Sequence, residues 1–274
     1  MKLSISCRIA EGFLSKKEAL MSLTELCDLA VAADYEALCM RGSQIGIHSP
    51  SEEIARAGQT IRERNLGVTM ISGDFDIVYN NEHGPDCLRN ITPYLDLAEQ
   101  LGAQLIRVCI KTEADIPATQ AAADEAAERG LTLVHQCHVQ SLLETVEQIE
   151  SRLREIDRPN FGLIYEAANL EECRQDYGPS TIRRLAPWIK NVYLQNQRLN
   201  PDGKVTLDTW THGPSSFDII EIPEPGGIDF AAVFSGLRQV GYDGIITVHQ
   251  SAPEQGGTPL ESATQTANYL RTLI

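Results

Sequence analysis

Basic residues are scarce in this chain of 274 residues: 23 Lys and Arg stand against 38 Asp and Glu, for a formal net charge of -15. A nucleic-acid partner requires a basic surface, so this balance argues against one. The chain also lacks an apolar run of the roughly 20 residues that a bilayer span needs. Its first residues, Met1–Ser6, contain no apolar segment typical of a signal peptide. We therefore expect a cytoplasmic protein with no nucleic-acid or membrane partner.

Cysteine or histidine pairs with the spacing of a zinc site are missing too. The seven cysteines are scattered and mostly lie in apolar runs, as buried free thiols do in a reducing compartment. A glycine-rich phosphate loop does not follow the first predicted strand, which argues against a doubly wound dinucleotide-binding fold. Because no linker rich in Pro, Gly or Ser divides the chain, we expect a single domain over residues 1–274.

Strand-like and helix-like segments alternate along the whole chain. We predict eight strands, each followed by a helix pattern, at 3–7, 37–40, 68–71, 105–110, 131–134, 161–165, 192–194 and 245–248. Such alternation is typical of a parallel sheet with helices outside. Eight units favour a single (β/α)8 TIM barrel over an open sheet, which usually stops at five or six strands.

One connection, at about 199–227, is unusually long and shows no clear helix. Connections of that length in a compact domain are usually functional lids or contact surfaces. We expect this one either to close over a site, with Trp210 capping a sugar ring, or to form a subunit contact in a homo-oligomer. The other interpretation of Trp210 is packing within the loop.

Polar side chains stand where the predicted strands end, and in a parallel α/β barrel those ends form the active-site face. For the last four strands they are Gln136 and His138, Glu166 and Asn169, Tyr193, Gln195 and Asn196, and His249. Arg41 and Arg198 also follow strands, and Arg107 alternates with apolar neighbours in the fourth strand, which allows it to point into the barrel. In so acidic a chain, converging arginines suit an anionic substrate, because guanidinium grips a carboxylate or phosphate in bidentate fashion. The alternative is pairing with a local acid such as Asp74 or Asp76.

Four segments carry a family resemblance: 226–230, the turn 241–244, 130–138 and 161–166. They resemble the xylose isomerase-like TIM-barrel superfamily, which contains sugar isomerases and epimerases, inosose dehydratases and certain decarboxylases. The resemblance implies a divergent member of the family with one divalent metal, normally held by Glu, Asp, His and Glu from the fifth to eighth strands. Those positions fall on Gln136, Glu166, Tyr193 (with Gln195 two residues further) and His249, so all four are altered.

The altered ligand positions change the chemistry that the resemblance implies. An amide is not a useful base, so Gln136 cannot serve in the family's two-carboxylate epimerase mechanism, whereas His249 can be a base or a ligand. A metal site of Gln136, Glu166, Gln195 and His249 would offer mixed N/O ligation suited to Mn²⁺, Mg²⁺, Co²⁺ or Zn²⁺. The alternative is a hydrogen-bonded polar cluster without a metal.

The leading expectation is an enzyme of carbohydrate metabolism that isomerises or epimerises a small keto sugar or sugar acid through a metal-stabilised enolate. Decarboxylation of a 3-oxo sugar acid, or elimination from a 3-keto sugar, fits the altered residues better, because neither needs two opposed carboxylate bases. We assign catalysis to His249, Glu166 and Tyr193. We assign substrate binding to Arg41, Arg107, His138, Asn196, Arg198 and Trp210. The competing hypothesis is a barrel that has lost its metal site and its activity.

Overall fold

The computed structural model describes residues 1–12, 18–73, 82–252 and 257–274. Its strands are β1 (Lys2–Ser6), β2 (Ala37–Met40), β3 (Gly67–Ser72), β4 (Leu105–Val108), β5 (Thr132–Gln136), β6 (Phe161–Glu166), β7 (Ile189–Leu194), β8 (Gln197–Leu199), β9 (Val205–Thr209), β10 (Gly213–Ile219) and β11 (Ile245–Val248). Eight of these strands are parallel and close into a barrel in the order β1-β11-β7-β6-β5-β4-β3-β2. The predicted (β/α)8 barrel is confirmed.

Helices follow the barrel strands and surround them. They are α1 (Leu23–Ala32), α2 (Ser51–Glu63), α3 (Asp86–Arg89), α4 (Thr92–Leu101), α5 (Ile116–Glu128), α6 (Val146–Ile156), α7 (Ala167–Glu172), α8 (Pro179–Leu185), α9 (Phe230–Gln239) and α10 (Pro259–Arg271). Short 3-10 helices lie at Cys7–Ala10, Glu113–Asp115 and Ala186–Trp188. In the part of the chain described, no helix combines the length and the apolar character needed to cross a membrane.

Side-chain caps fix where several of these helices begin. Ser22 and Glu25 form a reciprocal capping box at the start of α1, and Thr258 and Glu261 form another at α10. Each box satisfies backbone N–H groups that the first turn of a helix leaves without an intrahelical partner. The polar residues between the apolar runs therefore determine where the outer helices start.

The barrel interior is filled with side chains beneath the strand ends. Cys39, Met70, Val134, Ile164 and Tyr193, each from a different strand, form one buried cluster there. The inside of a TIM barrel is a packed core and not a pore. A ligand is therefore confined to the carboxyl ends of the strands, where the polar side chains lie.

The long connection after β7 is not a structureless loop. Strands β8, β10 and β9 pair in that order into an antiparallel sheet, with Phe217 opposite Val205 and Gly213 opposite Thr209. Gly213 has a φ of 73° in the turn, a conformation that favours glycine. The sequence pattern that indicates strand β9 is the period-two alternation of Val205, Leu207 and Thr209 with the polar residues between them.

Candidate active site

A cavity opens at the carboxyl ends of the barrel strands. It encloses about 710 Å³ outside the protein atoms, counting the part open to solvent. Its polar lining consists of Arg8, Glu11, Arg41, Arg107, Gln136, His138, Glu166, Asn169, Glu172, Gln195 and His249. Side chains from the ends of several strands, and from the loops that follow them, thus converge on one space.

Glu166 is held at the junction of β6 and α7. Its Oε2 accepts a hydrogen bond from Nε2 of Gln136, on the neighbouring strand, and another from Nδ2 of Asn169, one helical turn further on. Burial raises the pKa of this carboxyl, while the two amide donors and the charges of Arg8 and Arg107 oppose the rise. The two amide bonds fix the position of one carboxylate oxygen on the cavity wall.

His249 follows β11 and is 3% exposed. Its Nδ1 lies 3.1 Å from Oγ of Ser6, at the end of the adjacent strand β1. When Nδ1 donates to that hydroxyl oxygen, Nε2 is the nitrogen that carries a lone pair. A neutral imidazole held in this way is suited to accept a proton from a bound molecule.

Two of the three arginines predicted at this face, Arg41 and Arg107, lie on the cavity wall. Arg41 and Arg107 are both buried, and Nε of Arg41 is 2.8 Å from Oε1 of Glu11, which also accepts a 2.5 Å hydrogen bond from Oγ of Ser43. Arg41 therefore has a carboxylate partner in Glu11. The alternative partners considered from the sequence, Asp74 and Asp76, lie outside the described residues.

Glu172 is a cavity residue that the sequence reasoning missed. It is 3% exposed and ends α7, two turns beyond Glu166 with Asn169 between them. Burial, followed by the negative charge of Glu166, raises its pKa to about 8. The spacing of three residues from Glu166 to Asn169 and from Asn169 to Glu172 puts all three on one helical face, which is the signal that could have identified it.

An apolar roof covers the polar strand ends. It consists of Val205 and Leu207 on β9 with Phe217 and Ile219 on β10, all of which line the cavity. The buried carboxylate of Glu144 accepts hydrogen bonds from the backbone N–H groups of Trp210, at 2.8 Å, and Thr211, at 2.9 Å. These bonds to a charged group attach the tip of the hairpin to the loop after β5.

Three residues predicted to bind substrate make other contacts, and none of the three lines the cavity. Asn196 is buried and donates from Nδ2 to backbone carbonyls of the connection, including that of Glu221 at 2.8 Å. Arg198 is half exposed and pairs with Glu224 at 3.0 Å. Trp210 is 53% exposed, and its ring lies under Nζ of Lys111 at 5.2 Å. The connection folds back after β7 and carries these side chains away from the cavity.

Tyr193 lies beneath the cavity and does not line it. Its hydroxyl is 3.2 Å from Sγ of Cys39 inside the barrel, and burial raises its pKa well above the usual value. The structure thus places the Tyr193 hydroxyl, predicted as a proton donor to substrate, inside the barrel, while the ring stacks on that of His249. Strand periodicity puts Tyr193 and Gln195 on one face, but only Gln195 stands far enough along to reach the cavity.

The side chains at the strand ends do not fit the divalent metal that the family resemblance implies. Among the described residues, no group of three or more His, Cys, Asp or Glu side chains converges as metal ligands. Gln136 directs its amide N–H group, and not its oxygen, toward Glu166. The positive charges of Arg8 and Arg107 also act on that carboxylate. The expected ligand set of Gln136, Glu166, Gln195 and His249 is better described as a hydrogen-bonded cluster with guanidinium groups nearby.

A closed parallel barrel with a polar cavity at the ends of its strands defines the TIM-barrel class. Within that class, the chain belongs to the xylose isomerase-like TIM-barrel family, whose sequence model matches residues 27–273. The resemblance noted in the sequence is thereby confirmed.

The sequence is similar to dehydratases of this group. The inosose dehydratase of Geobacillus thermodenitrificans (strain NG80-2) is 26% identical over 149 residues, which cover 54% of this chain and 50% of that protein. The inosose dehydratase of Lacticaseibacillus casei is 25% identical over 150 residues, covering 54% of this chain and 49% of that protein. The chain thus spans about half the length of the curated relatives it matches.

The fold is also that of a solved structure with magnesium bound. The xylose isomerase-like TIM-barrel protein of Mycobacterium smegmatis in complex with magnesium has a TM-score of 0.68 and 12% identity, over 99% of this chain and 96% of that chain. At this identity the likeness concerns the fold. The magnesium belongs to that protein.

Proposed function

We propose that this protein is a lyase of the dehydratase type, which eliminates water from a small keto polyol or its acid. The observation that carries the proposal is a set of buried oxygens on cavity residues: Oε2 of Glu11, Oε1 of Gln136 and Oε2 of Glu172. None of them has a hydrogen-bond partner within the described residues. A buried polar atom left without a partner costs about 1–3 kcal/mol. A ligand rich in hydroxyl groups, which both donate and accept hydrogen bonds, would supply these partners.

The two faces of the cavity suit the two faces of a sugar-like ring. Hydroxyl groups would meet the strand-end amides and carboxylates, while C–H groups would lie against Leu207 and Phe217 of the apolar roof. Arg107 adds a buried positive charge to the polar wall. That charge suits a ketone oxygen that becomes an enolate, or a carboxylate on the substrate.

Elimination of water needs one base and one acid. The base removes the proton from the carbon beside the ketone, and the electron pair moves onto the ketone oxygen as an enolate. Collapse of the enolate expels the hydroxyl of the next carbon, which leaves as water after it receives a proton. We assign the base to Nε2 of His249 and the stabilisation of the enolate to Arg107. Glu166 and Gln136 hold substrate hydroxyls.

The residues favour this reaction over epimerisation. An epimerase of the two-carboxylate kind needs a base on each face of the enolate, and Gln136 occupies the position of one of them. The two sequence relatives named above are dehydratases, which supports elimination. The similarity to each of them covers 54% of this chain.

A panel of cyclic and open-chain 3-keto polyols, with the matching acids, tests the proposal in D₂O by proton NMR. Elimination gives a vinyl signal, whereas epimerisation exchanges the proton beside the ketone without loss of water, and decarboxylation releases CO₂. We expect the vinyl signal with the wild type and a decrease of about 100-fold or more in His249→Asn. The matched control is His212→Asn, because His212 is exposed and does not line the cavity.

Two results would contradict the proposal. Proton exchange without elimination would favour the epimerase alternative. The absence of turnover, exchange and binding of any keto polyol would favour a barrel that has lost its activity.

A further inference from the structure

We propose that Glu172 is the acid that protonates the departing hydroxyl. This assignment rests on the proposed elimination reaction and adds the proton donor that the reaction requires. Glu172 is neither one of the family's metal-ligand positions nor one of the site residues predicted from the sequence. The assignment rests on its place in the fold, its burial and its oxygen without a hydrogen-bond partner.

The position of Glu172 gives it access to the bound molecule. Helix α7 begins directly after Glu166, and its six residues place Glu172 at the end of the same helical face, where it lines the cavity with Asn169 and Glu166. Oε2 of Glu172 is buried and finds no hydrogen-bond donor in the part of the chain that is described. A carboxyl in that state can direct an O–H toward a substrate oxygen.

The surroundings of Glu172 keep a proton on it near neutral pH. Burial is the largest cause of its raised pKa of about 8, and the negative charges of Glu166 and Glu171 act in the same direction. A hydrogen bond with Gln197 and the charge of Arg8 act in the opposite direction without cancelling the rise. A general acid works best when its pKa is close to the operating pH.

The proton balance closes with two side chains. Nε2 of His249 takes the proton from the carbon beside the ketone, and Glu172 gives its proton to the hydroxyl that leaves from the next carbon. The C–O bond breaks, a C=C bond forms, and the ketone is restored from the enolate. Solvent then returns a proton to Glu172 and removes one from His249, so no other reactant is consumed.

The test compares Glu172→Gln with Glu128→Gln in the full chain. Glu128 is an exposed glutamate at the end of α5 and does not line the cavity. On a substrate that the wild type converts, Glu172→Gln should lose about 100-fold or more of the elimination rate but still exchange the proton beside the ketone, because His249 is intact. Glu128→Gln should keep both rates, and Glu172→Asp should restore part of the elimination.

A second measurement is independent of turnover. In protein labelled with ¹³C at the glutamate carboxyls, one resonance should titrate near pH 8 in the wild type and in Glu128→Gln, and should be absent in Glu172→Gln. The titration of this resonance can also be measured in a variant that folds but has no catalytic activity.

The outcomes separate this inference from the proposed function. If wild type neither eliminates nor exchanges, the proposed function fails. If wild type eliminates and Glu172→Gln does so equally well, or loses exchange together with elimination, the assignment of Glu172 as the acid is overturned. A Glu172 carboxyl that titrates at the ordinary glutamate value would also overturn it.

Discussion

The ring of Tyr193 stacks on the ring of His249, with the centroids 4.1 Å apart and the planes 13° from parallel. The tyrosine hydroxyl points the other way, into the barrel, where it meets Sγ of Cys39 at 3.2 Å. Tyr193 is therefore a support on which the imidazole rests. Together with the contact between Nδ1 and Ser6, the stack fixes the orientation of the proposed base.

This relationship predicts different results for two substitutions of Tyr193. Tyr193→Phe keeps the stack and removes only the hydroxyl, so its kcat should fall far less than the roughly 100-fold that loss of a general acid costs. Tyr193→Leu removes the aromatic face and should lower kcat more than Tyr193→Phe does. Steady-state kinetics of both variants provide the check. A large loss in Tyr193→Phe would restore the role as proton donor.

The attachment of the roof to Glu144 predicts a binding defect at a distance from the chemistry. Glu144→Gln replaces a carboxylate, whose bonds to N–H groups are worth about 1.5–3 kcal/mol, by an amide that cannot accept equally from both Trp210 and Thr211. We expect KM to rise more than kcat falls. Hydrogen exchange at the amides of Trp210 and Thr211 should also become faster.

The matched control for the roof is Glu128→Gln. Glu128 is exposed at the end of α5 and remote from the cavity lining. Its substitution should change neither KM nor the exchange of the two amides. Unchanged exchange in Glu144→Gln would show that the hairpin stays in place without this carboxylate.

The composition of the strand-end cluster predicts that activity does not depend on a divalent cation. Turnover should persist after treatment with a chelator and should not rise when Mn²⁺ is added back, because amides and guanidinium groups occupy the surroundings of Glu166. Elemental analysis and calorimetric titration with Mn²⁺ give a second readout. Binding of Mn²⁺ by wild type that disappears in Glu166→Ala would instead support the ligand set implied by the resemblance.

The raised pKa of Glu172 predicts how stability depends on pH. The folded protein holds the proton up to about pH 8, whereas the ordinary pKa of a glutamate, which applies to the unfolded chain, is 4.5. Between these values the folded state binds more protons than the unfolded state, so the free energy of unfolding decreases as pH rises through this range. The full effect of one such group is on the order of 5 kcal/mol.

Chemical denaturation of wild type and Glu172→Gln at several pH values tests this linkage. The variant has no carboxyl to titrate at this position, so its stability should decrease less between pH 5 and about pH 8. Glu128→Gln again serves as the control, because Glu128 is exposed. Parallel pH profiles for wild type and Glu172→Gln would contradict the prediction.

The sequence was a good guide wherever a side chain follows directly from a barrel strand. Gln136, Glu166 and His249 were found because each closes an apolar run, and parallel strands bring their carboxyl ends to one face. Arg41 was found for the same reason, Arg107 was found because it alternates with apolar residues inside β4, and the structure places all five on the cavity wall. Their roles in chemistry remain proposals.

The sequence was a poor guide where the chain turns after a strand. Asn196 and Arg198 follow β7 as closely as other site residues follow their strands, yet the chain folds back there and uses them to hold the connection. Trp210 is on the tip of a hairpin whose docking depends on Glu144, about sixty residues earlier in the chain. Contacts of that separation leave no trace in a local pattern.

The sequence by itself determined the barrel and the face on which its polar residues meet. Strand periodicity and the order of strands and helices are local properties, and strands joined through helices run parallel, with their carboxyl ends at one face. Only the tertiary structure decided which residues enclose the cavity. The apolar roof, the carboxyl of Glu172 and the support of His249 by Tyr193 all arise from packing between distant segments. Burial in that packing raises the pKa of Glu172, a property that composition and spacing do not reveal.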